Sequence, residues 1–245
     1  MTAHHSVADE LAERNIRKWI HAKHVQDRVA DPTGHETIGP YVTVAREIGS
    51  GGGQIARMAG DRLGWDVLDG EIVDYLAERY GTPRNLVEIA DERHIGWIEE
   101  MLTGWMGGKQ WTSARYVHRL HHLLMLAAQH GNVIVVGRGA RFILPPEHGL
   151  SVRVVAPAEF RARRIAKERG IDHKAAQAAI AAADREQAAY IKEHFHHAVD
   201  DSHMYDLVIN VEKLSLEEAA DLIVDAVRSH GHKMPTAASM SAAAL

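Results

Sequence analysis

A short segment, residues 41–57, constrains the fold of this chain more than any other part of the sequence. It begins with an apolar, β-branched run at residues 41–44, which is typical of a buried strand. Four glycines then occupy five consecutive positions, and a helical pattern follows them. A strand, a glycine turn and a helix in this order present bare backbone N–H groups and a helix dipole to an anion. We therefore predict a phosphate-binding turn made of Gly49, Ser50, Gly51, Gly52, Gly53 and Gln54.

The same turn departs from a full P-loop, in which a lysine and then a serine or threonine follow the last turn glycine. Gly52 and Gly53 occupy those two positions, so the lysine that reaches the β- and γ-phosphates is missing. A tight turn that binds nothing is the alternative interpretation. Arg46, six residues before the missing lysine, is a candidate to replace its charge by folding back over the phosphates, with Glu47 near a magnesium-bound water.

Composition excludes several classes of function. The net charge of −5 over 245 residues argues against a general nucleic-acid binder. The absence of cysteine rules out disulfides, thiolate metal sites and cysteine nucleophiles. No apolar run approaches the ~20 residues that span a bilayer, and the N-terminus has no signal-peptide pattern. We expect a cytoplasmic protein without a membrane partner, and we predict no metal site from the histidines near 118–122 and 194–197.

Further strand patterns follow at residues 65–68, 133–136, 152–156 and 206–211. The run at 133–136 is unbroken and apolar, as expected for a central parallel strand. Helical patterns separate these runs, at about 54–63, 160–169, 172–197 and 215–230. This alternation predicts an α/β fold with a five-stranded parallel sheet and helices on both faces.

The chain also divides into a main domain with extensions. Residues 1–37 contain an amphipathic helix, which needs a partner and is expected to dock on the main domain or to form a homodimer. The main domain covers residues 38–230 and carries a helical insertion at 83–130. The small, polar tail at 231–245 is predicted to be disordered.

Two polar residues stand where strands end. Arg138 lies between two glycines after the 133–136 strand, and Asp69 follows the second strand. The carboxyl edge of an open α/β sheet is where ligands bind. Residues 151–192 add nine Lys/Arg against five Asp/Glu, a local bias that favours a polyanionic ligand.

Together these features resemble the cytidylate-kinase-like family, a branch of the P-loop nucleoside monophosphate kinases, over roughly residues 40–228. The most specific segments are AREIGSGGGQIA at 45–56, VIVVGRGARFILP at 133–145, APAEFRARRIAKERGI at 156–171 and YDLVIN at 205–210. The resemblance implies a nucleotide-binding kinase domain at 38–230. It implies ATP-dependent phosphoryl transfer, with Mg²⁺, to a nucleoside monophosphate such as CMP or dCMP.

The resemblance also implies roles for single residues. The glycine turn binds the phosphates of ATP, while Asp69 and Arg138 bind the acceptor. A lid at 157–200 closes catalytic arginines over the transferring group, and Arg46 joins them. These lid arginines are Arg161, Arg164 and Arg185.

The chain departs from the family pattern in ways that leave the function open. Gly139 follows Arg138 where cytidylate kinases carry an aspartate that helps to read cytosine. Gln187 stands where the family often has arginine. The alternatives are a nucleotide-binding regulatory or sensor protein with little or no kinase activity, and a kinase of a non-nucleotide small molecule, which the 83–130 insertion permits.

Overall fold

The computed structural model describes residues 38–69 and 113–230, and these divide into two compact units. One unit contains Ile38, Asp69 and residues 113–131. The other contains residues 39–68 and 132–230. The predicted N-terminal extension, residues 83–112 of the insertion and the predicted tail lie outside the described residues. The domain boundaries and the homodimer therefore stay predictions.

Five strands form one sheet in the second unit. Their bounds are β1 Tyr41–Arg46, β2 Asp66–Leu68, β3 Val133–Val136, β4 Gly149–Val155 and β5 Leu207–Asn210. Every pair is parallel and the order is β2-β3-β1-β4-β5. The predicted five-stranded parallel sheet is confirmed, with β1 at its centre and β3 beside it.

Five helices accompany the strands in this unit, and one belongs to the other unit. In the sheet unit they are α1 Gly52–Leu63, α3 Ala140–Ile143, α4 Ala158–Arg169, α5 His173–Phe195 and α6 Leu216–His230; in the other unit, α2 is Ser113–His130. The sequence pattern did not predict the four-residue helix α3. Among the described residues, no helix has both the length and the apolar character that crossing a bilayer requires.

The main core lies on the face of the sheet that α1 and α6 cover. Val42 and Val44 of β1 are buried there with Ile223 of α6. Burying a side chain of this size contributes roughly 1.5–3 kcal/mol, so this layer holds the sheet in place. Tyr41 and Thr43 alternate to the opposite face, towards α3.

Helices α4 and α5 form a smaller cluster of their own. Ala162 and Ile165 of α4 pack on Ala176 and Ile180 of α5, and Ile48 of the glycine turn packs against this cluster. The helices of the predicted lid are therefore in contact with the turn between β1 and α1.

Local end signals account for the bounds of α6. Ser215 Oγ accepts the Glu218 N–H at 3.1 Å, and Glu218 Oε2 accepts the Ser215 N–H at 2.8 Å. These two reciprocal bonds confirm the capping box that the sequence predicts. The N–H and the hydroxyl of Ser215 also lower the pKa of the Glu218 carboxyl.

Candidate functional site at the carboxyl edge of the sheet

A cleft with a cavity volume of about 640 Å³ lies in the sheet unit, at the carboxyl ends of β1 and β3. Its walls come from the glycine turn, the turn after β3, and helices α4 and α5. A volume of this size is typical of small-molecule sites, which are commonly several hundred Å³. The position agrees with the edge at which open α/β sheets bind ligands.

The glycine turn passes very close to helix α4. Gly49 and Gly51 have φ values of +79° and +84°, a left-handed conformation that favours glycine. A Cβ atom on Gly49 would lie 2.9 Å from the Arg161 carbonyl oxygen, and one on Gly51 would lie 2.6 Å from Arg164 Nη1. Helix α1 then begins without a side-chain cap, because Gly51 is its N-cap residue. The Gln54 N–H donates to the Gly51 carbonyl at 2.9 Å, which leaves the N–H groups of Gly52 and Gly53 for an anion.

Two side chains of this segment, those of Ser50 and Glu47, form bonds that hold the turn. Ser50 is fully buried and its hydroxyl donates to the Glu47 carbonyl at 2.7 Å, so this side chain stabilises the turn. Glu47 Oε2 accepts the Ala156 N–H at 3.0 Å and lies 3.4 Å from Arg161 Nε. Its Oε1 lies 3.7 Å from Arg153 Nη2. Both oxygens of Glu47 are thus engaged by the protein, and its place near a magnesium-bound water stays a prediction.

Arg46 lies between the glycine turn and the turn after β3. A Cβ atom on Gly52 would lie 2.5 Å from Arg46 Cβ, and one on Gly137 would lie 2.3 Å from Arg46 Nη1. The Arg46 carbonyl accepts a hydrogen bond from Gln187 Nε2 at 3.2 Å. The side chain therefore runs past the position of the missing lysine and ends beside the second turn.

The turn after β3 has three consecutive residues in the left-handed region. Gly137, Arg138 and Gly139 have φ values of +81°, +53° and +68°. A side-chain-bearing residue pays roughly 1–2 kcal/mol for this conformation, so Arg138 is held there by its surroundings. Its side chain is exposed and lines the cleft. A Cβ atom on Gly139 would lie 2.3 Å from the ring of Phe195, which brings the end of α5 onto the same turn.

The two arginines of α4 that the sequence assigns to one site separate in the structure. Arg164 lines the cleft, pairs with Glu168 at 2.9 Å and donates to Gln54 Oε1. Arg161 is only 5 % exposed and is absent from the lining. Its guanidinium binds the Asp184 carboxylate through two bonds of 3.0 Å, and its Nε donates to the Ala156 carbonyl at 2.9 Å. The structure thus brings Arg164 to the cleft and buries Arg161 behind it.

The remaining predicted residues have different outcomes. Arg185 is exposed on α5 and lies outside the cleft lining, whereas Gln187 on the same helix lines the cleft. Asp69 directly follows β2 but belongs to the other unit, so its role at the acceptor stays a prediction.

Sequence reasoning missed several residues that line the cleft. They are Arg57, Arg141, Phe142, Tyr190 and Tyr205. The sequence could have indicated two of them, because Arg57 is one helical turn after the glycines and Arg141 is three residues after Arg138. Tyr205 is a neutral wall residue: burial raises the pKa of its hydroxyl, which donates to the Val199 carbonyl at 2.9 Å.

Positive charge predominates in the cleft although the chain is acidic. Six arginines and four carboxylates line it, and three of those carboxylates pair with arginines: Glu168 with Arg164, Asp184 with Arg161, and Glu47 with Arg161 and Arg153. Within the described residues, no group of three or more His, Asp or Glu is arranged to hold a metal ion. The arrangement therefore favours an anionic ligand held by backbone N–H groups and guanidinium groups.

Comparison with known proteins gives the family. The model of the cytidylate kinase-like family matches residues 41–213, which is more than half of the chain, and the chain belongs to this family. A cytidylate kinase of Staphylothermus marinus is 32% identical over 93 residues, which are 38% of this chain and 52% of that protein. A cytidylate kinase of Methanopyrus kandleri is 31% identical over 110 residues, 41% of this chain and 57% of that protein. The chain spans about half the length of the curated relatives it matches.

A solved structure supports the fold. An uncharacterized protein from Eubacterium ventriosum superposes with a TM-score of 0.60 at 19% identity, over 78% of this chain and 99% of that one. At this identity the likeness extends to the fold alone. It agrees with the parallel α/β sheet described above.

Proposed function

We propose that this member of the cytidylate kinase-like family binds ATP in the cleft and transfers its γ-phosphoryl group to a nucleoside monophosphate such as CMP or dCMP. One observation carries the proposal: the glycine turn and the arginines 46, 138 and 164 line the same cavity. The family membership and the two named cytidylate kinases support kinase chemistry.

In this proposal the backbone of the glycine turn and the first turn of α1 bind the ATP phosphates. Arg164 approaches this turn through Gln54, and Arg138 binds the phosphate of the acceptor. Phosphoryl transfer requires alignment of the two substrates and positive charge around the equatorial oxygens, with little covalent help. Arginine suits this purpose, since its planar fork of donors stays charged at all ordinary pH values.

Arg161 has a positioning role in this proposal. Its bonds to Asp184 and to the Ala156 carbonyl, with its ion pair to Glu47, hold helices α4 and α5 against the glycine turn. This packing sets the position of Arg164, on the same helix, relative to the glycine turn. Arg185 is exposed outside the lining and is given no contact with the reacting group.

Membership of a kinase family implies ATP with Mg²⁺ in general. The described residues do not offer a preformed magnesium site in the turn, because Gly53 replaces the Ser/Thr whose hydroxyl binds the ion and because Ser50 and Glu47 are used within the protein. Mg²⁺ commonly retains several waters and binds mainly through substrate phosphates. We assign no step to a protein-bound magnesium ion.

The test measures ADP formation and ATP binding side by side. The full chain is incubated with Mg·ATP and each of a panel of nucleoside monophosphates, and ATP affinity is measured by calorimetry. Turnover that depends on one monophosphate is the expected result. A wild-type chain that binds no nucleotide would refute the proposal.

A second candidate is a nucleotide sensor with little or no kinase activity. The observation that favours it is the pair Gly52-Gly53, which removes the two side chains a full P-loop uses for catalysis. ATP binding without ADP formation on any monophosphate would favour this candidate or a kinase of a non-nucleotide acceptor. Trials with other phosphorylated small molecules then separate these two.

A further inference from the structure

We infer that Arg46 supplies the cation missing from position 52. Relative to the P-loop pattern, the glycine and the cationic side chain are exchanged between positions 46 and 52, which are in contact. The inference rests on the proposed function and names a catalytic residue for it. Laid on this turn, the P-loop pattern G-x-x-x-x-G-K-[ST] has its first glycine at Arg46, its last at Gly51 and its lysine at Gly52. A side chain therefore stands where the pattern has glycine, and glycine stands where it has lysine.

The structure gives a steric reason for this exchange. A Cβ atom on Gly52 would lie 2.5 Å from Arg46 Cβ, 3.1 Å from its Cγ and 3.3 Å from Val154 Cβ. Two Cβ atoms cannot approach so closely, and Arg46 is held by strand pairing with Val154 of β4. Because strand pairing holds Arg46 in place, a side chain at position 46 conflicts with one at position 52 in this backbone geometry.

A third position accommodates the end of the arginine. A Cβ atom on Gly137 would lie 2.3 Å from Arg46 Nη1, 3.1 Å from Cζ and 3.5 Å from Nη2. Gly137 also has a φ of +81°, so glycine is favoured there on both grounds. The guanidinium consequently lies against the turn that carries Arg138, between the proposed ATP side and the proposed acceptor side of the cleft.

This position suits the transfer step. The bond between the γ-phosphorus and the β–γ bridging oxygen breaks with its electron pair going to ADP, and a bond forms from an acceptor phosphate oxygen to phosphorus. Negative charge accumulates on the bridging oxygen, and the transferring phosphoryl group keeps negative charge on its three equatorial oxygens. A guanidinium fixed between the two loops stabilises that charge more in the transition state than in the ground state.

The experiment uses three variants of the full chain: Arg46→Ala, Gly52→Lys, and the double variant Arg46→Gly with Gly52→Lys. For each, ATP affinity, ADP formation and the urea midpoint are measured. Arg163→Ala is the matched control, because Arg163 is exposed on α4 and lies outside the cleft lining. The wild-type chain is measured in parallel to test the proposed function itself. If the wild type does not bind ATP, the proposed function is refuted, whereas failure of the Arg46 inference appears only in the variants of a wild type that does bind ATP.

We expect Arg46→Ala to lower turnover by about 10²–10³-fold, as removal of one preorganised donor commonly does, and to weaken ATP binding with little change in the urea midpoint. Gly52→Lys alone should lower both the urea midpoint and ATP affinity. The double variant, which restores the P-loop pattern, should recover the midpoint and ATP affinity that Gly52→Lys loses. Wild-type affinity and turnover in Arg46→Ala would overturn the inference. A double variant no better than Gly52→Lys, or a Gly52→Lys variant equal to wild type, would overturn it as well.

Discussion

Charged side chains lie on both sides of the glycine turn, and the two sides are organised in opposite ways. Behind the turn, the buried guanidinium groups of Arg153 and Arg161 bind Glu47 and Asp184, whose carboxylates also line the cleft. We call these four residues the anchoring cluster. Arg161 and Arg153 are each only 5 % exposed, and the carboxylates of the cluster are engaged by protein groups. The charges of this cluster neutralise one another within the fold.

In front of the turn, the arginines 46, 138 and 164 line the open cleft, and we call them the cleft arginines. Each is half-buried or exposed, and the wall carries more arginines than carboxylates. Arginine thus serves two purposes in this part of the fold. Variants of the anchoring cluster should change stability first, whereas variants of the cleft arginines should change ligand affinity first.

The largest expected effect follows from removing the centre of the anchoring cluster. Arg161→Ala leaves Glu47 and Asp184 without their shared cation and should lower the free energy of unfolding by about 3 kcal/mol, the low end for a broken buried pair because Asp184 is partly solvated. Urea denaturation measures this loss. Arg163→Ala, two residues along the same helix and exposed, serves as the control and should change it by less than about 0.5 kcal/mol. An Arg161→Ala variant as stable as that control would abolish the distinction between the two sides of the turn.

Replacing Arg138 should have opposite effects on stability and on function. Its φ of +53° is costly for a residue with a side chain, so Arg138→Gly should raise the free energy of unfolding by about 1 kcal/mol. Loss of the guanidinium should raise the KM for the acceptor by about tenfold, the effect of losing one charge-assisted contact. Thermal denaturation and steady-state kinetics test the two halves. A less stable variant with an unchanged KM would contradict both.

Arg164→Ala should weaken ATP binding by about tenfold, or about 1.4 kcal/mol, because its guanidinium lies over Gly51 and beside Gln54. The free energy of unfolding should fall by less than about 1 kcal/mol, since the Glu168 pair is a surface pair within one helix. Calorimetric titration with ATP measures the affinity. Equal loss of stability in Arg164→Ala and Arg161→Ala would show that both arginines belong to one cluster.

The smallest effect on ligand affinity is expected at a residue outside the cleft lining. Ser215→Ala removes the N-cap of α6 and should lower the free energy of unfolding by about 1 kcal/mol. ATP affinity should stay unchanged, because Ser215 is outside the cleft lining. This variant is the control that shows how much a loss of stability alone changes the affinity for ATP. A marked loss of ATP affinity here would weaken every assignment drawn from the cleft variants.

Much of the fold was predictable because its signals are local. The apolar run at 133–136 matches β3 in both bounds, and the Ser215–Glu218 pair marks the start of α6. Four glycines after a strand likewise placed the turn. Helix α3 was missed, since four residues are too few for a periodic pattern.

The division of the arginines was not predictable in the same way. Arg161 and Arg164 are three residues apart on one helix, and only contacts with distant residues separate them: Glu47 and Asp184 bury the first. Helix α5 is rich in alanine, so its apolar pattern does not define which face is buried. The pattern therefore does not show that Gln187 lines the cleft and that Arg185, which the resemblance assigns to the lid, lies outside the lining. The contact between positions 46 and 52 likewise depends on backbone geometry that no sequence pattern encodes.

The central claim is that the cleft binds phosphate through the glycine turn and the arginines in front of it. Calorimetric titration of the full chain with ATP and with adenosine tests this most directly, for the wild type and for Gly51→Ala. A methyl group at Gly51 would lie 2.6 Å from Arg164 Nη1 at a φ of +84°. We predict that wild type binds ATP far more tightly than adenosine and that Gly51→Ala loses most of this preference. Equal affinity for ATP and adenosine in the wild type, or a preference unaffected by Gly51→Ala, would contradict the claim.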